Sequence, residues 1–356
     1  MKNQIKFNAK RSFSLLPEFD QSLTFLNSGL TQDGIRTARG ILICLVVLGH
    51  IDSFSPEYKA FTATIYNFHV ISFLMISMLK TTNKFSFKEF YIICKRYLGL
   101  LIPITIIAFL IFQFLIEKNN LSNISSVFSN YFMALITGNV KYFDLSTGLE
   151  LFWFMYAITG LVTIRMLIKK YAYNNLLRIF SLIIFSFIGG LSTKYLQYSS
   201  PSWIGIASYS ISLIVLSFFI INIFNLLEKK SKIIVRITLI IIFLILSFNG
   251  LPGGYNNLAH LKVPLPWDII NYFSLIFYVS TVFKIISFTS ESSLCKIFFR
   301  DIGSYSLGIY LTHMFFLYPL NTSPFLVNLF EPFRIIIIFI SVMFLSTTSS
   351  QLLLRK

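Results

Sequence analysis

Three histidines and one arginine are the residues of this chain best suited to chemistry. His50, His69 and His313 each fall inside an apolar run. An imidazole has an ordinary pKa near 6.5, and burial without a counter-charge holds it neutral, a state fit for general-base work on a hydroxyl. Arg39 opens the stretch RGILICLVVLGH that His50 closes. At about 100° per residue, the eleven steps between them return to within about 20° of one helical face, about 16 Å further along the axis. That spacing puts a fixed cation near one membrane surface and a titratable base near mid-depth, where a polar side chain is costly to bury. His69 lies 11 residues from Lys80 and His313 lies 13 from Arg300, so all three histidines share a depth of about 16 to 20 Å. A single intramembrane histidine is explained by a hydrogen bond between helices. Three at one depth favour a shared polar site, whereas His260, in a loop, carries no such argument.

Few acids are available to orient these rings. Asp52 follows His50 by two residues, about 200° round the helix, and Glu150 opens a later apolar run, where it could meet a substrate or a histidine. Arg36, Arg39, Lys95 and Arg96 cluster beside the first and third runs. Topology alone accounts for most lysines; Arg39, on the stripe of His50, has the strongest claim to an anionic partner.

The elements that must hold these residues are membrane helices. The 356 residues are 55% hydrophobic and 12% charged, with a mean hydropathy of +0.74, too apolar for a soluble domain. Runs long enough to cross about 30 Å of hydrocarbon lie near 38–54, 62–79, 98–116, 149–168, 177–193, 203–224, 233–249, 268–287, 303–320 and 333–353. The expectation is an all-α polytopic membrane protein of about ten transmembrane helices. A shorter stretch, 122–138, contains Ser and Asn and is expected to be an extracytoplasmic interfacial helix. With the N-terminus inside, all 30 lysines and arginines fall on cytoplasmic segments except Lys59, Lys118, Lys141, Lys194, Lys262 and Arg334. Both termini are therefore expected in the cytoplasm, with residues 1–35 a cytoplasmic tail and 36–356 the membrane domain that does the work. The turn-rich segment Asn249 to Trp267 reads as an ordered outer loop.

Other functional classes fit less well. The net charge of +16 sits at the ends of apolar runs, which the positive-inside rule explains without a nucleic-acid partner. Cys44, Cys94 and Cys295 lack disulfide or metal-ligand spacing, so no metal site is expected. The first apolar run begins only after about forty polar and mixed residues, which is not the layout of a cleavable signal peptide.

Arg39, ten intervening residues and His50 resemble the R-x10-H signature of the acyltransferase-3 family of membrane-bound sugar O-acyltransferases. IYNFHVISFLMIS, Ile65 to Ser77, is similar to the second-span motif of the fucose-acetylase-like branch, with His69 and Ser77 in register. LFWFMYAITGL, Leu151 to Leu161, is similar to the fourth-span motif and contains Trp153, and IGSYSLGIYLTHMFF, Ile302 to Phe316, resembles the penultimate span and places His313. The likeness covers about 36 to 354. Ile71 replaces a proline of the second-span motif, Met78 a glycine, and Leu100 stands where another arginine is common.

The resemblance implies an enzyme of the bacterial inner membrane that takes acetyl from cytoplasmic acetyl-CoA and delivers it to a sugar hydroxyl outside. The acceptor would be a cell-envelope polysaccharide such as an O-antigen or capsule unit, or a lipid-linked precursor. His50 becomes the catalytic histidine and Arg39 its partner toward the donor, with His313 or His69 stabilising developing charge. Arg36, Arg39, Lys95 and Arg96 become the binding set for the donor phosphates, and Glu150 and Trp153 the substrate contacts. Two chemistries stay open: direct deprotonation of the hydroxyl by His50, or relay of acetyl through it. So do another donor such as succinyl-CoA, and a non-enzymatic glycan or lipid transporter whose histidines relay protons.

Overall fold

The structure, a computed structural model, describes residues 30–51, 56–79, 85–116, 124–172, 175–196, 200–249 and 263–354. Most of the expected tail, Asp52, Lys80 and His260 with most of its loop lie outside the described residues. The described residues are helical, with no strand among them. Seven helices are long and apolar enough to cross a membrane: Phe61–Leu79, Phe87–Gln113, Glu150–Tyr171, Leu176–Leu196, Gly205–Lys230, Ile269–Ser290 and Glu331–Leu353. That is the signature of a multi-pass membrane protein. The other three expected spans are also helical, at Gln32–Gly49, Lys232–Asn249 and Ser306–Asn321.

Helix α1 (Gln32–Gly49) carries Arg39 and starts earlier than the 35/36 boundary read from the sequence. Its start is fixed by Thr31, whose hydroxyl accepts from the Gly34 N–H at 3.0 Å. Thr31 in turn donates its N–H and hydroxyl to Glu291 at 2.7 and 2.9 Å, and Lys296 reaches the same carboxylate at 2.5 Å. Partial burial pushes the Glu291 carboxyl up, but the hydrogen bonds from Lys296 and Thr31 outweigh it and leave it below its ordinary value. At the other end α1 stops at Gly49, with His50 as its cap, rather than running on toward residue 54.

Helices α2 (Pro56–Tyr66) and α3 (His69–Leu79) are separated by a turn at Asn67 and Phe68. Then come α4 (Phe87–Leu98), α5 (Leu101–Leu110), α6 (Ile124–Thr137) and α7 (Val140–Thr147). Helix α6 covers the expected interfacial stretch. Gly148 ends α7 at φ 63°, a left-handed cap that suits glycine, and turns the chain into the short turn Glu150–Phe152.

Helix α8 (Trp153–Tyr171) is the buried axis of the fold. Its residues 153–162 are buried on every side, as a central helix requires, against α3, α4 and the later α10. Helices α9 (Asn175–Leu191), α10 (Gly205–Lys230), α11 (Lys232–Asn249) and α12 (Ile269–Ser290) follow. The outer helices expose apolar rows such as Phe180, Ile183 and Phe187 on α9, fit for contact with lipid. Not every basic residue is a topology marker on the surface. Lys284 is buried and lies 2.6 Å from Glu228, which also pairs with Arg236 at 2.7 Å, joining α10, α11 and α12. Arg165 is buried and donates to the Met78 carbonyl.

The chain closes with α13 (Ser293–Ser304), α14 (Ser306–Asn321), the single turn α15 (Pro324–Val327) and α16 (Glu331–Leu354). Helix α13 crosses α1 backbone to backbone. A Cβ on Gly40 would collide with the Phe299 carbonyl, and one on Gly303 with the Arg36 carbonyl. This contact sets the position of α1 beside α14, the helix that carries His313.

Candidate active site

His50, His69 and His313 lie along one row of rings. The rings of His50 and His313 are 5.3 Å apart, edge to face, although the residues are on α1 and α14. On the other side of His50, the Tyr66 ring lies at 5.4 Å, and Tyr66 is 5.1 Å from His69. The order is His313, His50, Tyr66, His69, a continuous row of polar rings from four elements. His69 is 2% exposed and His313 fully buried, while His50 is half-buried.

Each imidazole is anchored to a backbone carbonyl three or four residues before it in the chain. Nδ1 of His50 bonds the Val46 carbonyl at 2.8 Å, that of His69 the Ile65 carbonyl at 2.8 Å, and that of His313 the Tyr310 carbonyl at 2.8 Å. A carbonyl oxygen only accepts, so Nδ1 carries the hydrogen in all three rings. In the neutral ring Nε2 is then the basic atom. Nε2 of His313 is buried without a hydrogen-bond partner among the described residues, a costly state that a bound hydroxyl would relieve.

Beside this row lies a cavity of about 650 Å³ bounded by five helices and the α13–α14 junction. Arg39 on α1 and Arg96 on α4 stand in its wall, with Ser77 on α3. Phe154 on α8 and Tyr310 on α14 line it too. Tyr310 connects cavity and histidines: its ring is 4.8 Å from Phe154 and 5.8 Å from His313. Its hydroxyl donates to the Leu151 carbonyl at 2.8 Å, tying the turn that carries Glu150 to α14. Arg39 and Arg96 thus stand in the cavity wall, and the Tyr310 ring lies between the cavity and His313, which does not line it.

Arg39 and Arg96 share this cavity, but Arg36 and Lys95 do not line it. Arg36 is exposed and 3.5 Å from Asp33, and Lys95 is exposed. Glu150 is half-buried at the start of its turn, and Trp153 is buried with its ring 5.8 Å from Phe154 in the cavity wall. Among the described residues no group of three His, Cys, Asp or Glu side chains could hold a metal.

Sequence reading missed the two tyrosines of the site. A signal was present: Tyr66 precedes His69 by three residues and Tyr310 precedes His313 by three, so Tyr-x-x-His occurs at both positions. Asn321 and Arg334 were missed as well. The Asn321 amide donates to the His50 carbonyl at 3.4 Å, and Arg334 donates to the Asn321 carbonyl at 3.3 Å.

Residues 32–355 match the model of a family described as an acyltransferase domain, of the acyltransferase-3 type. No curated protein and no solved structure matches the chain.

Proposed function

Because the chain belongs to the acyltransferase-3 family, and is therefore an acyltransferase, we propose that it is an O-acetyltransferase of the bacterial inner membrane. It moves acetyl from cytoplasmic acetyl-CoA to a sugar hydroxyl of a cell-envelope polysaccharide or its lipid-linked precursor. The fucose-acetylase-like branch is the part of the family it resembles, on the strength of Ile65 to Ser77. In this reading α1, α11 and α14 join the seven long apolar helices to make ten crossings, and both termini are cytoplasmic. The basic residues that concentrate on alternate connections support that orientation.

The observation that carries the proposal is the row of rings around His50 beside a cavity walled by Arg39 and Arg96. The guanidinium groups bind the donor phosphates by charge-assisted hydrogen bonds. The thioester then lies along Phe154 and Tyr310, toward His50. Nε2 of His50 takes the proton of the sugar hydroxyl as its oxygen attacks the thioester carbonyl; the C–S bond breaks, and the imidazolium returns the proton to the CoA sulfur. His313, with a basic nitrogen of its own, holds the attacking hydroxyl in line. The Nδ1–H bonds to the backbone keep each ring in the tautomer that this requires. Glu150 and Trp153, on either side of Leu151, meet the sugar.

Purified full-length protein in lipid nanodiscs, given labelled acetyl-CoA and a lipid-linked or polymeric glycan, tests this reading. The expected result is free CoA matched one for one by glycan that carries the mass of an acetyl group. Absence of CoA release with every acceptor would remove the reading, and a succinyl mass on the glycan would correct its donor.

A further inference from the structure

The C-terminal turn of α1 holds His50, and a helix end leaves backbone carbonyls without intrahelical partners. Here side chains from two other elements add bonds to two carbonyls at this end, that of Leu48 also accepting from the Ile51 N–H at 3.3 Å. The Tyr58 hydroxyl of α2 donates to the Leu48 carbonyl at 2.6 Å, and the Asn321 amide of α14 donates to the His50 carbonyl at 3.4 Å. Asn321 is 9% exposed, and its own carbonyl accepts from Arg334 of α16, which is 2% exposed. Burial of the Tyr58 phenol, with Glu331 adding to it, pushes its pKa up to about 12, so it stays a donor at neutral and mildly alkaline pH.

Asn321 also stands on the same helix as His313, eight residues or about two turns further on. Helix α14 therefore grips His50 at two points: its imidazole against the His313 ring, and its main chain through Asn321. Only the second grip is a directional bond to the backbone. The His50 N–H still donates to the Val47 carbonyl at 3.2 Å; the Asn321 amide adds a bond to the His50 carbonyl, beyond the end of α1 at Gly49.

We propose that Asn321 is a positioning residue for His50, fixing its main chain so that its ring meets His313. The assignment of His50 as the base comes from the acyl-transfer reading above, but the contact itself does not depend on it. The chain has four histidines, so a protein labelled with 15N only in histidine gives a spectrum simple enough to assign by substituting each in turn. Asn321→Ala is expected to move the His50 and His313 signals and to leave His260 in place. It keeps the main-chain carbonyl that Arg334 uses, so it removes the amide link alone.

In the nanodisc assay the same variant should lower kcat about tenfold, the worth of one hydrogen bond to a group that must be held in place, with KM for acetyl-CoA within about twofold. Asn321→Gln, with the amide on a longer arm, should recover part of the rate, and Thr322→Ala, at the exposed neighbouring position, should change neither readout. Should Asn321→Ala fail to insert in the membrane, Asn321→Ser is judged by the same spectrum. An unmoved His50 signal overturns the proposal, whether or not the rate falls. Persistence of full transfer in His50→Ala would instead overturn the acyl-transfer reading, while the spectrum still decides the positioning of His50.

Discussion

The cavity and the histidine row lie side by side and solve opposite electrostatic problems. The cavity presents Arg39 and Arg96, and Arg96 is exposed. The row buries His69 and His313 and half-buries His50, and it secures each ring through Nδ1–H to a backbone carbonyl three or four residues before it. A fixed cation keeps its charge at little cost where water reaches it; a base inside a membrane is most useful neutral. In the proposed reading this difference accounts for the long spacing of the signature. About three turns of α1 separate Arg39, which there binds the anionic donor, from His50, which takes the proton.

The comparison predicts different kinetic signatures for the two regions. The largest effect after His50 itself is expected at His313: His313→Ala should lower kcat by about 10²-fold, with little change in KM for the donor, because the ring acts on the reacting hydroxyl. Initial rates at saturating acetyl-CoA measure this. Next, Arg39→Gln should raise KM for acetyl-CoA by about 10- to 100-fold, the range expected for a lost charge-assisted hydrogen bond, with a smaller loss in kcat. Arg36→Gln is the control, expected to stay within about threefold because Arg36 is exposed and paired with Asp33. Equal effects at Arg36 and Arg39 would erase the distinction between cavity and surface.

A smaller change is expected where the two regions join. Tyr310→Phe keeps the ring between Phe154 and His313 but removes the bond to the Leu151 carbonyl, and should reduce kcat/KM by about 3- to 10-fold. The smallest effect concerns stability alone. The Glu291 carboxyl is held below its ordinary value, so it stabilises the fold above the unfolded pKa, and this contribution disappears as pH falls through the folded pKa. Glu291→Gln should lower the apparent Tm by about 1 to 3 °C at pH 7 and narrow the gap to wild type in acid. A gap that widens in acid would mean that the Thr31–Glu291–Lys296 contact does not set the start of α1.

How much of this was legible in the sequence depended on whether a feature is local. Arg39 and His50 lie on one helix, and their relation follows from its pitch. The similar distances of His50, His69 and His313 from basic flanks need no knowledge of packing; they led to the expectation of one polar site, and the rings do fall in one row with Tyr66. Tyr66 and Tyr310 are equally local, three residues before a histidine, but they are two of eighteen tyrosines in the chain, and only the packing of the rings singles them out. Asn321 could not be read in this way: its partner is 271 residues away, and only the placement of α14 against the end of α1 gives it a role. Nor could the separation of Arg39 from Arg36, three residues apart and within about 60° on one helix, or of Arg96 from Lys95, since it depends on what packs against each helix. The end of α1 at Gly49 was hidden by the apolar composition of its last turn.

The most direct test of the central claim is glycan acetylation by His50→Ala, expressed in a strain that lacks the native gene and matched to wild type for membrane level. The account predicts surface glycan without detectable acetyl by mass spectrometry. Full acetylation in that strain would contradict it.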